Sequence, residues 1–390
     1  MTFSEVLRRR LNRSVATMDG LVDRQVRRWR RRLGFAQRPA IQPYIGYATN
    51  TTVHLHGRVL RNPPKRPSVA ADRWWNNMKA SVRRFASDEV ANVHVRAELG
   101  HGVGSGVSDS EGYFGIELPR LKVGSELQFW SIATLNIVDH PLVSSAESRA
   151  TCPVMNVDAA ARFMLISDVD DTVMHTGATS MTTLVKLTFF ANARTRAPLP
   201  GIAAWYRAMQ QSGSSVDSPR NPIFYVSSSP WNLFDLLYEF LNVNAIPPGP
   251  LLLRDLGFDG AHEITAGHEH KLLKIRKLIE QYPNLQVILS GDSGQDDARL
   301  YATAAQEYGT KIAAIFIRDI DPTADNKYDT KVAEYVVLSE AAGVPMYVVK
   351  DSIEAAEHCA ELGLLDPQAL DGIRKATQRD QDRMSGPLMP

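Results

Sequence analysis

The hydrophobic pattern along this chain changes period twice. Near the start, Val22, Val26, Trp29 and Leu33 recur as one apolar stripe of a helix, while Arg24, Arg27, Arg28, Arg30, Arg31 and Arg32 crowd its other faces. Gly34 and Pro39 end that helix. From about 41 to 157 the period falls to two: Thr52–Leu60, Val93–Leu99 and Gly115–Leu118 alternate, with turn signals at Gly100–Gly106 and Ser108–Gly112. This region predicts a β-rich, sandwich-like domain. Inside it, Trp74, Trp75, Met78 and Val82 fit one face of a helical insert.

After about 158, short apolar runs alternate with amphipathic ones. Strands are predicted at Arg162–Ser167, Pro222–Val226, Leu285–Leu289, Lys311–Ile317 and Met346–Val349. Helices are predicted at Ile202–Gln211, Trp231–Leu241, Lys271–Gln281, Asp296–Tyr308 and Ile353–Leu362. Such alternation predicts an α/β fold on a doubly wound, Rossmann-like parallel sheet over 158–365. The expected organisation is therefore a basic amphipathic helix (1–40), a β-rich domain (41–157), the α/β domain (158–365) and a polar, loosely ordered tail (366–390).

Charge changes this picture at one end only. The chain is near neutral at +1, yet residues 1–40 hold eleven arginines against three acids, a surplus of eight positive charges. An arginine-rich helix with an interfacial tryptophan predicts docking of residues 1–38 on an anionic bilayer, each arginine contributing about 1 kcal/mol at most. The competing readings are a helix packed on its own protein and a nonspecific nucleic-acid arm; no nucleic-acid partner is expected. Two cysteines, Cys152 and Cys359, predict neither a disulfide framework nor a cysteine zinc site. No apolar run reaches the length of a membrane span. The expectation is a cytoplasmic protein that can attach peripherally to a membrane.

Candidate chemistry begins where the first α/β strand ends. Asp168 and Asp170 are two apart and would face the same way just past the strand's carboxyl end, with Thr172 beyond. Two close carboxylates call for a cation, and oxygen donors suit Mg2+. That arrangement suits phosphoryl transfer through an aspartyl-phosphate on Asp168. Ser227 ends the next strand and could hold a phosphate oxygen; Ser229 reads as an N-cap with Pro230 at the first helical position. Lys271 could offset charge opposite Asp168. Glu263, His268 and His270 form a weaker zinc alternative that has no fourth ligand. Asp292 ends another apolar strand as a direct metal ligand, and Asp297 or Asp296 would reach metal-bound water or Lys271.

In this order the four elements resemble the haloacid dehalogenase superfamily of phosphatases. The runs Asp168–Thr176, Val226–Trp231, His270-Lys271 and Gly291–Asp297 are similar to the actin-patch phosphatidate phosphatase family. A looser likeness extends through Gly57–Leu60, and Ser108–Gly112 with Tyr113 and Phe114 resembles the turn of transthyretin-like sandwiches. The resemblance implies a haloacid dehalogenase-like fold in which Asp168 is the nucleophile and Asp170 the acid–base. Ser227, Lys271 and Thr172 would hold phosphate. Asp168, Asp170 through its backbone carbonyl, Asp292 and Asp297 would form the Mg2+ site, with Asp297 preferred to Asp296. An ordinary carboxylate is already ionised at neutral pH, so Asp168 would need no base. Residues 173–221 leave room only for a small cap, including the apolar stretch Leu184–Ala191 with Phe189 and Phe190. The implied reaction is Mg2+-dependent hydrolysis of phosphatidate to diacylglycerol. A soluble metabolite or phosphoprotein substrate, and a noncatalytic lipid-binding or scaffold role, are the alternatives.

Overall fold

The computed structural model describes residues 38–61, 89–120, 128–157, 160–173, 198–213, 221–254, 269–320 and 327–385. The arginine-rich start, the insert around Trp74–Val82, the cap stretch Leu184–Ala191, Glu263, His268 and Thr176 lie outside these residues.

The first half is one hydrogen-bonded sheet of eight strands: β1 (Ala40–Pro43), β2 (Gly46–Ala48), β3 (Thr52–Leu60), β4 (His94–Leu99), β5 (Gly102–Val107), β6 (Tyr113–Pro119), β7 (Trp130–Val138) and β8 (Ala150–Asn156). Their order is β1-β3-β2-β8-β7-β4-β5, with β6 pairing with β3. Pairing is antiparallel except between β2 and β8. A sandwich-like domain was the expectation. Instead a single sheet curls until β5 lies against β6. Glycine makes that approach possible, because a Cβ on Gly106 would sit 2.7 Å from the Gly115 carbonyl oxygen. Alternate residues of these strands, including Val53, Leu55, Val95, Ala97, Ile116 and Leu135, fill the enclosed core.

The second half is mixed α/β. Strands β9 (Phe163–Ser167), β10 (Ile223–Pro230), β11 (Leu251–Arg254), β12 (Gln286–Asp292), β13 (Ile312–Arg318) and β14 (Met346–Val349) form a parallel sheet in the order β11-β10-β9-β12-β13-β14. The described helices are α1 (Ile202–Gln211), α2 (Phe234–Val243), α3 (Glu269–Gln281), α4 (Asp297–Tyr308), α5 (Lys327–Ala341), α6 (Ser352–Glu361) and α7 (Ala369–Ser385). The period-2 alternation of each strand splits the core in two. Phe163 and Leu165 face one cluster with α1, α2, α6 and α7; Met164 and Ile166 face another with α3, α4 and α5. Both faces of the sheet are therefore dry, which is why its strands read as continuous apolar runs rather than alternating ones.

Two helices depart from the expectations. The segment expected to be a loose tail forms α7, whose Ile373 and Thr377 are buried and whose Asp380 accepts from the Gly201 amide at 3.0 Å. Helix α5 had no predicted counterpart. The halves meet through aromatic contacts. Tyr44 stacks on Trp231 with centroids 4.7 Å apart, and Tyr47 meets Phe224 edge-on at 5.5 Å. Tyr282 donates to the Ala48 carbonyl at 3.1 Å, and Tyr47 to Gln281 at 3.2 Å. Among the described residues, no helix is long and apolar enough to cross a membrane.

Candidate active site

The carboxyl ends of β9, β10 and β12 meet at the middle of the parallel sheet, where open α/β sheets bind ligands. The apolar run of β9 stops at Asp168, whose side chain is fully buried. Its amide donates to the Ser290 carbonyl on β12 at 2.8 Å, which fixes the backbone. Behind it, Tyr206 of α1 meets the Ser167 hydroxyl at 2.7 Å and donates to Ser290 at 3.0 Å. Burial pushes the Tyr206 phenol up to about 12, so it stays a neutral hydrogen-bonding brace.

Lys271, at the start of α3, is 1% exposed and reaches Asp168 Oδ1 at 2.8 Å and Asp297 Oδ1 at 2.7 Å. Burial opposes its charge, but Asp168, Asp297 and Asp292 together hold its pKa above the usual lysine value. Asp297 opens α4 and accepts from the Asp292 amide through its other oxygen at 3.3 Å. It comes this close because position 291 has no side chain: a Cβ on Gly291 would lie 2.7 Å from that of Asp297. Asp292 Oδ1 accepts from the amides of Gly294 at 2.8 Å and Gln295 at 2.9 Å, so the turn after β12 aims this carboxylate.

Asp168, Asp292 and Asp297 each bring a carboxylate oxygen within 4.8 Å of the others. One ammonium faces three acids. Burial raises the pKa of Asp168 well above the carboxylate range, with Lys271 opposing and Asp297 and Asp170 reinforcing. Burial likewise raises Asp292, helped by Asp297 and Asp168. In the protein alone, burial works against the ionised Asp168 that the sequence predicts, while the ammonium of Lys271 at 2.8 Å works for it. Asp168 Oδ2 accepts no hydrogen bond among the described residues. An all-oxygen donor set with excess negative charge and an unused carboxylate oxygen fits a hard divalent cation.

Asp170 is placed differently from the simple i, i+2 picture. Its Oδ2 turns towards β10, where it accepts from Ser229 at 3.0 Å and Ser227 at 3.2 Å. Ser229 thus lies within β10 and serves Asp170 rather than capping a helix; Pro230 is the residue before the short turn Trp231–Leu233 that precedes α2. The Ser229 amide in turn donates to Ser227 Oγ at 2.9 Å. Asp171, in the same turn, adopts φ 58°, a left-handed conformation that costs a non-glycine residue energy and that tends to persist at functional sites. Thr172 is buried beside it, its hydroxyl making no hydrogen bond among the described residues. Asp296 stands apart, pairing with Arg299 at 3.5 Å on the half-exposed start of α4. Burial, with Lys274 and Arg254 adding to it, pushes His270 down to about 3, so it is a neutral imidazole.

Residues 163–319 match the family model described as phosphatidate phosphatase APP1, catalytic domain. That segment is similar to the catalytic domain of that family. It is 28% identical over 255 residues to the phosphatidate phosphatase APP1 of Saccharomyces cerevisiae, covering 63% of this chain and 42% of the yeast protein. It is 27% identical over 157 residues to an uncharacterized protein of Schizosaccharomyces pombe, covering 40% of this chain and 25% of that one. The chain thus spans less than half the length of either curated relative. Among solved structures, a minor pilin, PilB, of Streptococcus sanguinis aligns at 10% identity with a TM-score of 0.22, over 76% of this chain and 90% of that one. That likeness carries no argument.

Within the matched segment, Asp168, Lys271, Asp292 and Asp297 converge, and Asp170 with Ser227 forms the adjoining wall. Sequence reasoning missed Gln295, whose amide nitrogen donates to Asp292 Oδ2 at 3.0 Å and to the Asp170 carbonyl at 3.2 Å. It also missed Tyr206 and the true partner of Ser229. Only the position of Gln295 inside the Gly291–Asp297 run could have signalled it.

Proposed function

We propose that residues 158–365 form a haloacid dehalogenase-like phosphatase unit that hydrolyses phosphatidate to diacylglycerol and phosphate with Mg2+. The observation that carries this reading is the buried Asp168 carboxylate, held at 2.8 Å from Lys271 within a cluster completed by Asp292 and Asp297. The parallel sheet supports the fold assignment: counted along the chain, its strands run 3-2-1-4-5-6, the doubly wound order with its switch point at the first strand. The family match supports phosphatidate as the substrate class.

Asp168, the Asp170 carbonyl and Asp292 would hold the cation, while Asp297 secures Lys271 and the Asp292 backbone. When bound, the cation would lower the repulsion between Asp168 and an incoming phosphate and favour the ionised carboxylate. Asp168 then attacks phosphorus, forming the Oδ–P bond as the P–O bond to the glycerol oxygen breaks. Asp170, oriented by Ser227 and Ser229, passes a proton to that leaving oxygen. In the second step Asp170 takes a proton from water, whose oxygen attacks phosphorus. The Oδ–P bond breaks, releasing phosphate and restoring Asp168. Lys271, the Ser227 hydroxyl and Thr172 would steady the phosphate oxygens.

The test compares phosphate release from phosphatidate vesicles and from a soluble aryl phosphate, with Mg2+ and with chelator, for wild type and Asp168→Asn. Turnover of both substrates, lost with chelator and in Asp168→Asn, is expected. Turnover of neither would refute the phosphatase, and turnover of the soluble ester alone would refute the lipid assignment. The eleven arginines before residue 39 support docking on an anionic bilayer.

A further inference from the structure

The side chain of Gln295 lies where two oxygens of the proposed cation site converge. Its Nε2 donates at once to Asp292 Oδ2, at 3.0 Å, and to the backbone carbonyl of Asp170, at 3.2 Å. Both neighbours are acceptors, so the orientation of the carboxamide follows from chemistry: reversing it would aim Oε1 at two oxygens. The amide hydrogens thus supply, in partial form, the positive charge that these two oxygens would receive from a metal. Asp292 has little freedom to turn elsewhere, because the Gly294 and Gln295 amides clamp its other oxygen at 2.8 and 2.9 Å.

We infer that Gln295 is a built-in competitor of the cation, its carboxamide holding Asp292 and the Asp170 carbonyl in ligating positions and withdrawing when the metal binds. This rests on the cation site proposed above. The same two lone-pair directions cannot serve both the carboxamide and a metal ion, so each binding event displaces the other. Gln295 is half-buried just before α4, whereas Asp297 is fully buried. The device has two effects. It keeps the metal-free carboxylates from splaying apart under their own repulsion, and it weakens net cation affinity, which eases exchange.

The inference is tested by calorimetric Mg2+ titration of the full chain at about pH 8, alongside thermal unfolding with chelator and with Mg2+. Wild type is compared with Gln295→Ala and with Gln295→Met, which keeps most of the volume and no donor. Loss of the competing donor should tighten Mg2+ binding by between about threefold and tenfold, while the metal-free unfolding temperature falls, so the Mg2+-induced shift grows. Equal or weaker Mg2+ binding in both variants would overturn the inference while leaving the site intact. Absence of Mg2+ binding to wild type would overturn the cation site itself, and the inference with it.

Discussion

Lys271 and Asp297 face each other across 2.7 Å with almost no solvent contact, and because Lys271 also reaches Asp168, the start of α3 and the start of α4 are tied to the end of β9. Removing the ammonium leaves buried acids without their countercharge, a situation that costs about 3–5 kcal/mol in buried pairs generally. Lys271→Met should therefore lower the urea midpoint at neutral pH in the presence of chelator. The deficit should shrink as pH falls and the acids take up protons. An unchanged midpoint would mean that the pair is not structural.

Ser229 tests the division of labour between the two leading acids. If Asp170 moves the proton and Ser229 aims it, Ser229→Ala should lower kcat by about tenfold with KM unchanged. Ser229→Thr keeps the hydroxyl and should recover most of the rate. A loss expressed only in KM would contradict this assignment.

Gly291 is required by contact distance rather than by backbone conformation. A methyl group there would press on Asp297 and on the Tyr301 ring, 2.8 Å away. Overpacking of this kind costs about 1–3 kcal/mol. Gly291→Ala should lower both the unfolding temperature and the Mg2+ affinity, since Asp297 also anchors the Asp292 amide. Retention of wild-type affinity would separate Asp297 from the cation site.

His56, on β3, should make folding acid-sensitive. Burial, then His54 and Lys277, push its pKa from 6.5 down to about 4, with Glu117 opposing. Above pH 6.5 both states carry a neutral imidazole and the group is silent. Below it the unfolded chain takes a proton that the folded protein refuses, so stability falls until about pH 4. At about pH 5 the loss is on the order of 1–2 kcal/mol. Urea unfolding should show a smaller drop between about pH 7.5 and 5 for His56→Gln than for wild type; equal drops would refute the assignment.

The site was legible where residue type and chain position coincide. Phe163–Ser167 is apolar on both faces and ends at Asp168, so strand, sheet edge and acid are visible together. Ser229 was misread because a serine before proline is the usual mark of a helix start, whereas its use here depends on a carboxylate 59 positions earlier in the chain. Gln295 carries no charge and so no signal. Helix α7 hid behind its polarity, since its contact with α1 rests on few buried side chains such as Ile373 and on the close approach of Gly201. In α5, Val337 and Leu338 point to solvent, so its apolar residues do not trace its buried face.

The contacts of Tyr44 and Tyr47 set a limit on where this protein can be cut. Tyr44 joins the apolar cluster on one face of the parallel sheet, while Tyr47, Phe129 and Met155 join the cluster on the other. Beyond residue 319, β14, α6 and α7 complete the first of these clusters. The 163–319 segment recognised by similarity is therefore a unit of inheritance and not a unit of folding: excised alone, it would bare part of each oily face to water, and the curled β-sheet upstream is part of what keeps the α/β half in solution.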